Sequence, residues 1–166
     1  MSNCFTQVCA ATLLAFALLT SSSAPGAAEG VKLAVSASGV IATKSAYSLQ
    51  ETVDRLKKDI AAKGITFFQE IDQSALAAKA GIELRPSILL IFGNPPLGTQ
   101  FITANPQAGL DWPVRLLVYR DASGAVWTAY TDFAWIAKRH GVHSRDAQFH
   151  MASEVAASIV SSVAAH

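Results

Sequence analysis

From Leu49 onward the apolar residues Leu49, Val53, Leu56 and Ile60 recur at spacings of four, three and four, which aligns them on one face of a helix. The opposite face carries Glu51/Arg55, Asp54/Lys58 and Asp59/Lys63 as i,i+4 pairs of opposite charge. Ser48 stands where an N-cap is needed, Glu51 is spaced to complete a capping box, and Gly64 offers the left-handed conformation that ends a helix.

The flanking segments follow a different period. Gly39 to Ala46 reads as a first strand, and Ile65 to Ile71 alternates in a way that predicts a strand with aromatic side chains on both faces. Asp72 is placed to cap a short Ala-rich helix running to Gly81. Ser87 to Phe92, opened by Pro86, is continuously apolar and so belongs in the buried middle of a sheet. Asn94-Pro95 combines a cap with proline at the first helical position, and Asn105-Pro106 closes the turn that follows Leu97, Phe101 and Ile102. Val114 to Arg120 and Ala125 to Tyr130, joined by Asp121-Ala122-Ser123-Gly124, form a hairpin whose aromatic residues are expected to pack on helices. Thr131 or Asp132 caps a helix from Phe133 to His140, closed by Gly141. The tail from Asp146, with Phe149, Val155, Ile159 and Val163, forms a last amphipathic helix. This order is no regular alternation of parallel units. It predicts a single α+β domain of two layers, a largely antiparallel sheet covered by helices, with no internal repeat.

The N-terminus is a different kind of segment. No charged side chain precedes Glu29, and Val8 to Leu19 is apolar apart from Thr12. That run falls short of the roughly 20 residues of a spanning helix and fits the hydrophobic part of a secretory signal, although no Lys or Arg opens it. Small residues from Ser21 to Ala28 place cleavage after Ala28, leaving residues 29–166 as the exported chain, periplasmic or secreted, with no stable membrane anchor. Cys4 and Cys9 leave with the signal, so the exported chain has no disulfide, thiol nucleophile or thiolate metal site. Of the whole chain 51% is apolar and 15% charged, and the net charge is +1, which excludes a disordered tail and leaves no field to hold nucleic acid.

Ser48-Leu49-Gln50-Glu51-Thr52, Glu70-Ile71-Asp72, Ile91-Phe92-Gly93-Asn94-Pro95 and Leu110-Asp111-Trp112-Pro113 before Val118-Tyr119 occur in that order along the chain. Over residues 39–142 this pattern resembles the prokaryotic domain-of-unknown-function family 302. The resemblance implies a small α+β domain with a helix-covered sheet and supplies no established reaction. Members of that family often place His directly after the Ile-Asp pair, where this chain has Gln73, so no carboxylate–imidazole pair is implied there.

Three constellations carry possible chemistry. Between Arg85 and Arg115 the only charge is Asp111, and five of the six prolines fall there. Such a rigid, poorly solvated stretch is either core strand with structural turns or the wall of a cleft or subunit contact, with Asn94, Asn105, Asp111 and Trp112 as its ligand-binding residues. Glu70 and Asp72, two apart on a strand, point to the same side. They serve either as an acid/base pair or as a surface Glu beside a capping Asp. His140, His143 and His150 offer imidazoles to a metal but lack a His-Glu-x-x-His motif. No phosphate-binding glycine loop or nucleophile elbow is present, and no cofactor is expected. The leading expectation is an exported domain that binds a small uncharged ligand or a protein partner through residues 93–112. A hydrolase or isomerase using Glu70 and Asp72 is the first alternative, and a metal-binding accessory protein using the three His residues is the second. The charge-poor stretch and the Ala-rich last helix also predict self-association, most simply as a symmetric dimer.

Overall fold

The computed structural model describes residues 35–165. The proposed signal and its cleavage site lie outside the described residues. Strand β1 (Val40–Lys44) leads through helix α1 (Leu49–Ala62) to β2 (Thr66–Asp72), then α2 (Gln73–Lys79) and β3 (Ser87–Gly93). Helix α3 (Pro95–Ala104) and a 3₁₀ turn (Pro106–Leu110) precede the hairpin β4 (Val114–Arg120) and β5 (Val126–Thr131), after which come α4 (Phe133–Arg139) and α5 (Asp146–Ser161). The five strands form one antiparallel sheet in the order β1-β5-β4-β3-β2, the two-layer α+β architecture that the patterning predicts.

The caps act as the sequence suggests. Ser48 Oγ accepts from Glu51 N at 3.3 Å, Asp72 Oδ1 from Ala75 N at 2.8 Å, and Asn94 Oδ1 from Leu97 N at 3.2 Å. Asp132, rather than Thr131, caps α4 through Trp135 N at 3.0 Å. The capping box is only half built, because the Glu51 carboxylate turns along the helix to Arg55 instead of back to the cap. Asp54 likewise accepts from Gln50 rather than pairing with Lys58.

Antiparallel registry decides which side chains share a face. Ile88, Leu90 and Phe92 of β3 lie opposite Val118, Leu116 and Val114 of β4, and Thr128 and Tyr130 of β5 lie opposite Thr43 and Ile41 of β1. These form the inner face, and apart from the half-buried Val114 they are buried beneath Val53, Leu56 and Ile60 of α1 and Phe149, Ile159 and Val160 of α5. The alternate positions are not covered in the same way. Leu89, Ile91, Leu117, Tyr119, Trp127 and Ala129 are only half-buried on the outer face. The continuous apolar run of β3 suggests burial on both sides, and the described residues supply helices for one. Tyr119 and Trp127, expected to pack on helices, lie opposite each other on this outer face instead.

One irregularity shapes the site. The register of β2 against β3 shifts between Phe67 and Gln69, a bulge that leaves Phe68 unpaired and exposed.

Candidate functional site

Where β3 ends, Gly93 and the interior-helix residue Gly98 hold the Trp112 indole between them. A Cβ built on Gly98 would lie 1.7 Å from Trp112 Nε1 and 2.2 Å from Cε2, and one on Gly93 would lie 3.2 Å from Nε1. Gly98 is required by this close approach, and at Gly93 an added methyl would press the ring by a few tenths of an ångström. Phe68, thrown outward by the bulge, meets the indole edge to face at a centroid separation of 6.1 Å. Trp112 is thus a wall fixed from three sides.

Behind that wall is a cavity of about 40 Å³. Its lining comes from Phe92 and Gly93 of β3, Leu97 and Phe101 of α3, Phe133 of α4, and Ala152 and Ala156 of α5, with Asn94 as the polar member. A single water needs about 10–15 Å³ by this measure together with two or more polar partners. Space for water is therefore present, but the polar partners are not, and the cavity suits an apolar guest. The alanines of α5 keep the space open, and the stacked pair Phe101–Phe149, with centroids 4.0 Å apart, anchors α3 to α5 beside it.

Next to the cavity, Asp111 and His140 form a buried pair. Asp111 Oδ2 lies 2.6 Å from His140 Nε2, with the two side chains 6% and 4% exposed. A carboxylate can only accept here, so His140 donates to it through Nε2–H. Arg139 reaches the same carboxylate at 3.2 Å and Arg115 at 3.3 Å, both from the surface. Asn105 completes the group: its Nδ2 donates to the His140 carbonyl at 2.7 Å and its Oδ1 accepts from Gln107 N at 3.0 Å. Together they clamp the turn after α3 to the end of α4. Among the described residues no hydroxyl or thiol hydrogen-bonds to the His140 ring.

The structure brings Asn105 and Asp111, suggested by the sequence as ligand-binding residues, together with His140, suggested as a metal ligand, and it places Asn94 and Trp112 on the cavity. Asn105 and Asp111 spend their polar atoms within the protein. His143 and His150 line one open groove with Asp146, of which His140 is not a part, and His150 lies 3.6 Å from Glu154. Among the described residues no three His, Cys, Asp or Glu side chains gather as a metal would require.

Glu70 and Asp72 share a face, as their spacing requires, but have different partners. Glu70 Oε2 accepts from Lys57 Nζ at 2.8 Å. Asp72 accepts from Ser74 Oγ at 2.6 Å as well as from Ala75 N. The Ser74 hydroxyl first, then the Ala75 N–H, hold the Asp72 carboxyl below its ordinary range, the opposite of what mutual repulsion within an acid/base pair produces.

A small two-layer α+β domain with an apolar cavity under the sheet end, and no assembled catalytic or metal constellation among the described residues, is the class these observations define. Residues 41–165 match the model of the domain of unknown function DUF302, and the chain belongs to that family. The match runs beyond residue 142 and takes in α5, which lines the cavity. A crystal structure of an uncharacterized conserved DUF302 protein from Bacillus stearothermophilus shares the fold, with a TM-score of 0.70 at 15% identity over 76% of this chain and 99% of that one. The chain is also 39% identical over 105 residues to the fluoride-specific ion channel FluC 1 of Brucella suis, covering 63% of this chain and 41% of the relative. FluC 2 of Brucella melitensis is similar to the same extent, with 39% of its length covered. The chain thus spans about two-fifths of the curated relatives it matches.

Trp112 is legible as a candidate from sequence, but its socket is not. Its signal is Gly98, a glycine inside a helix, which costs helix stability and so implies a packing reason. Arg115, Arg139 and the pairing of Asp111 with His140 across 29 positions leave no local signal.

Proposed function

We propose that this chain is an exported binding domain that takes a small, neutral, apolar molecule or short alkyl group into the cavity bounded by Leu97, Trp112 and Ala156. The observation that carries the reading is the cavity itself, which the charge-poor segment between Gly93 and Trp112 walls on one side and Phe133, Ala152 and Ala156 close on the other, with almost no polar lining. Its about 40 Å³ is far below the roughly 300 Å³ or more of ordinary ligand pockets. The guest is therefore a few heavy atoms in size, or else enters with displacement of the half-buried Leu97 and Trp112. Export is supported by the charge-free, apolar N-terminus with its small residues before Glu29.

The channel activity named for the Brucella relatives is not transferred, since more than half of each lies outside the match. Among the described residues no helix is long and apolar enough to cross a membrane.

Thermal melts in the presence of a graded set of small neutral apolar compounds and of charged analogues test the reading. A compound present at 100 times its dissociation constant stabilises by about 2.7 kcal/mol. Stabilisation by neutral members, its loss in Ala152→Val, which fills the cavity, and no response to charged analogues are expected. Equal responses in Ala152→Val and the parent protein contradict the site.

A further inference from the structure

We infer that the outer face of the sheet is the contact between two copies of this chain, paired face to face about a twofold axis. The inference is independent of the ligand reading, because the cavity lies under the opposite, helix-covered face. An antiparallel sheet that turns one face to water normally alternates apolar with polar residues. Here the alternation fails: Leu89 and Ile91 of β3, Leu117 and Tyr119 of β4, and Trp127 and Ala129 of β5 form a continuous apolar surface across the three central strands. None of them is buried within the subunit, whereas their inner-face neighbours Leu90, Leu116, Val118 and Thr128 are at most 1% exposed.

The size of the face fits a second copy. The whole outer face, the apolar centre on β3, β4 and β5 with the flanking positions Ala42 and Lys44 of β1 and Gln69 and Ile71 of β2, is five strands at about 4.8 Å spacing and about six residues long at about 3.3 Å per residue, a footprint of about 24 by 20 Å. Allowing for side-chain relief, that is roughly 600–700 Å² on each copy, or about 1,200–1,400 Å² in total, the lower end of the range for specific stable interfaces. Past the strand ends the surface becomes mixed: the groove beside Leu117 and Tyr119 is lined by Leu84, 47% exposed, and Pro86 together with Glu83, Arg85 and Arg120, a polar rim to the apolar centre.

Charge favours this occupant as well. A twofold axis places a patch against itself, so a central charge would meet its own copy, and the six central residues carry none. The charges lie around this centre: Lys44 stands at the far edge on β1, and the Asp121 carboxylate at the hairpin turn accepts from Trp127 Nε1 at 2.8 Å. Arg115, at the start of β4, bends off the strand to the Leu110 carbonyl and Asp111. Sheets stacked about 10 Å apart and rotated by about 30° would then interdigitate Leu89, Ile91 and Leu117 with their symmetry mates.

Sedimentation equilibrium of the purified protein at micromolar concentration tests the inference, alongside Leu117→Lys, the milder Ile91→Gln, and the control Met151→Lys at an exposed position of α5. A dimer is expected for the parent and for Met151→Lys, with association weakened at least about tenfold in Leu117→Lys and measurably in Ile91→Gln. Circular dichroism identifies any variant that fails to fold, and Ile91→Gln then decides. A monomeric parent overturns the inference, as does a dimer that the folded outer-face variants leave intact.

Discussion

Replacing Gly98 with Ala sets two effects against each other. Within a helix the change gains up to about 1 kcal/mol from propensity, so an otherwise open site would be stabilised. At Gly98 the new methyl lands 1.7 Å from Trp112 Nε1, 2.2 Å from Cε2 and 2.3 Å from Cδ1. The ring must retreat by roughly 2 Å to restore contact, and overpacking of this kind typically costs about 1–3 kcal/mol. Its retreat is limited by Gly93 on one side, while the exposed Phe68 can move. The net expectation is a loss of about 1–2 kcal/mol, which for a domain of this size lowers Tm by roughly 3–8 °C. Gly109→Ala is the matched control, because its methyl meets only Ile102 at 3.7 and 3.8 Å and should change Tm little. Differential scanning calorimetry gives the stability, and a red shift of tryptophan emission reports the displaced indole. A Gly98→Ala protein as stable as its parent, with unchanged emission, refutes the tight seat of Trp112 and with it the wall of the cavity.

Asp111→Asn leaves His140 and two arginines without their carboxylate and is expected to destabilise by about 3 kcal/mol in chemical denaturation, whereas an exposed pair such as Lys57–Glu70 broken by Glu70→Gln should change stability by no more than about 0.5 kcal/mol. The Asp121 carboxyl, held down to about 2 by the Ser123 hydroxyl first and the Trp127 indole next, is depressed in the folded state, so its contribution is present above about pH 4 and is lost as pH falls toward 2. Trp127 emission should follow that titration, and the acid transition should disappear in Asp121→Asn. Mass spectrometry of the protein recovered from its producing cells should give a chain beginning at Glu29, and a mature chain retaining Cys4 and Cys9 contradicts the export reading.

The elements were legible because local rules decide them. Ser48, Asp72 and Asn94 cap the helices their positions indicate, and the alternation in β4 and β5 sets their pairing. Single-sided coverage of the sheet was not legible, since a run such as Ser87–Phe92 looks alike whether the second face meets helices or another subunit. The candidate site was legible in part. Trp112 and Asn94 emerged from the charge-poor stretch, but Asp111 meets His140 only through the packing of α4, and the cavity exists only because α5 returns with Ala152 and Ala156. Glu70 and Asp72 show the reverse limit: their shared face followed from the strand period, while Lys57 and Ser74 determine what each does.

The central claim, that the space behind Trp112 accepts a small apolar guest, is tested most directly by diffraction from crystals of the protein under xenon pressure. One xenon site is predicted between Phe92, Leu97, Trp112 and Ala156, absent from Ala152→Val crystals treated alike. An empty cavity at full pressure, or xenon bound equally in the filled variant, contradicts the claim.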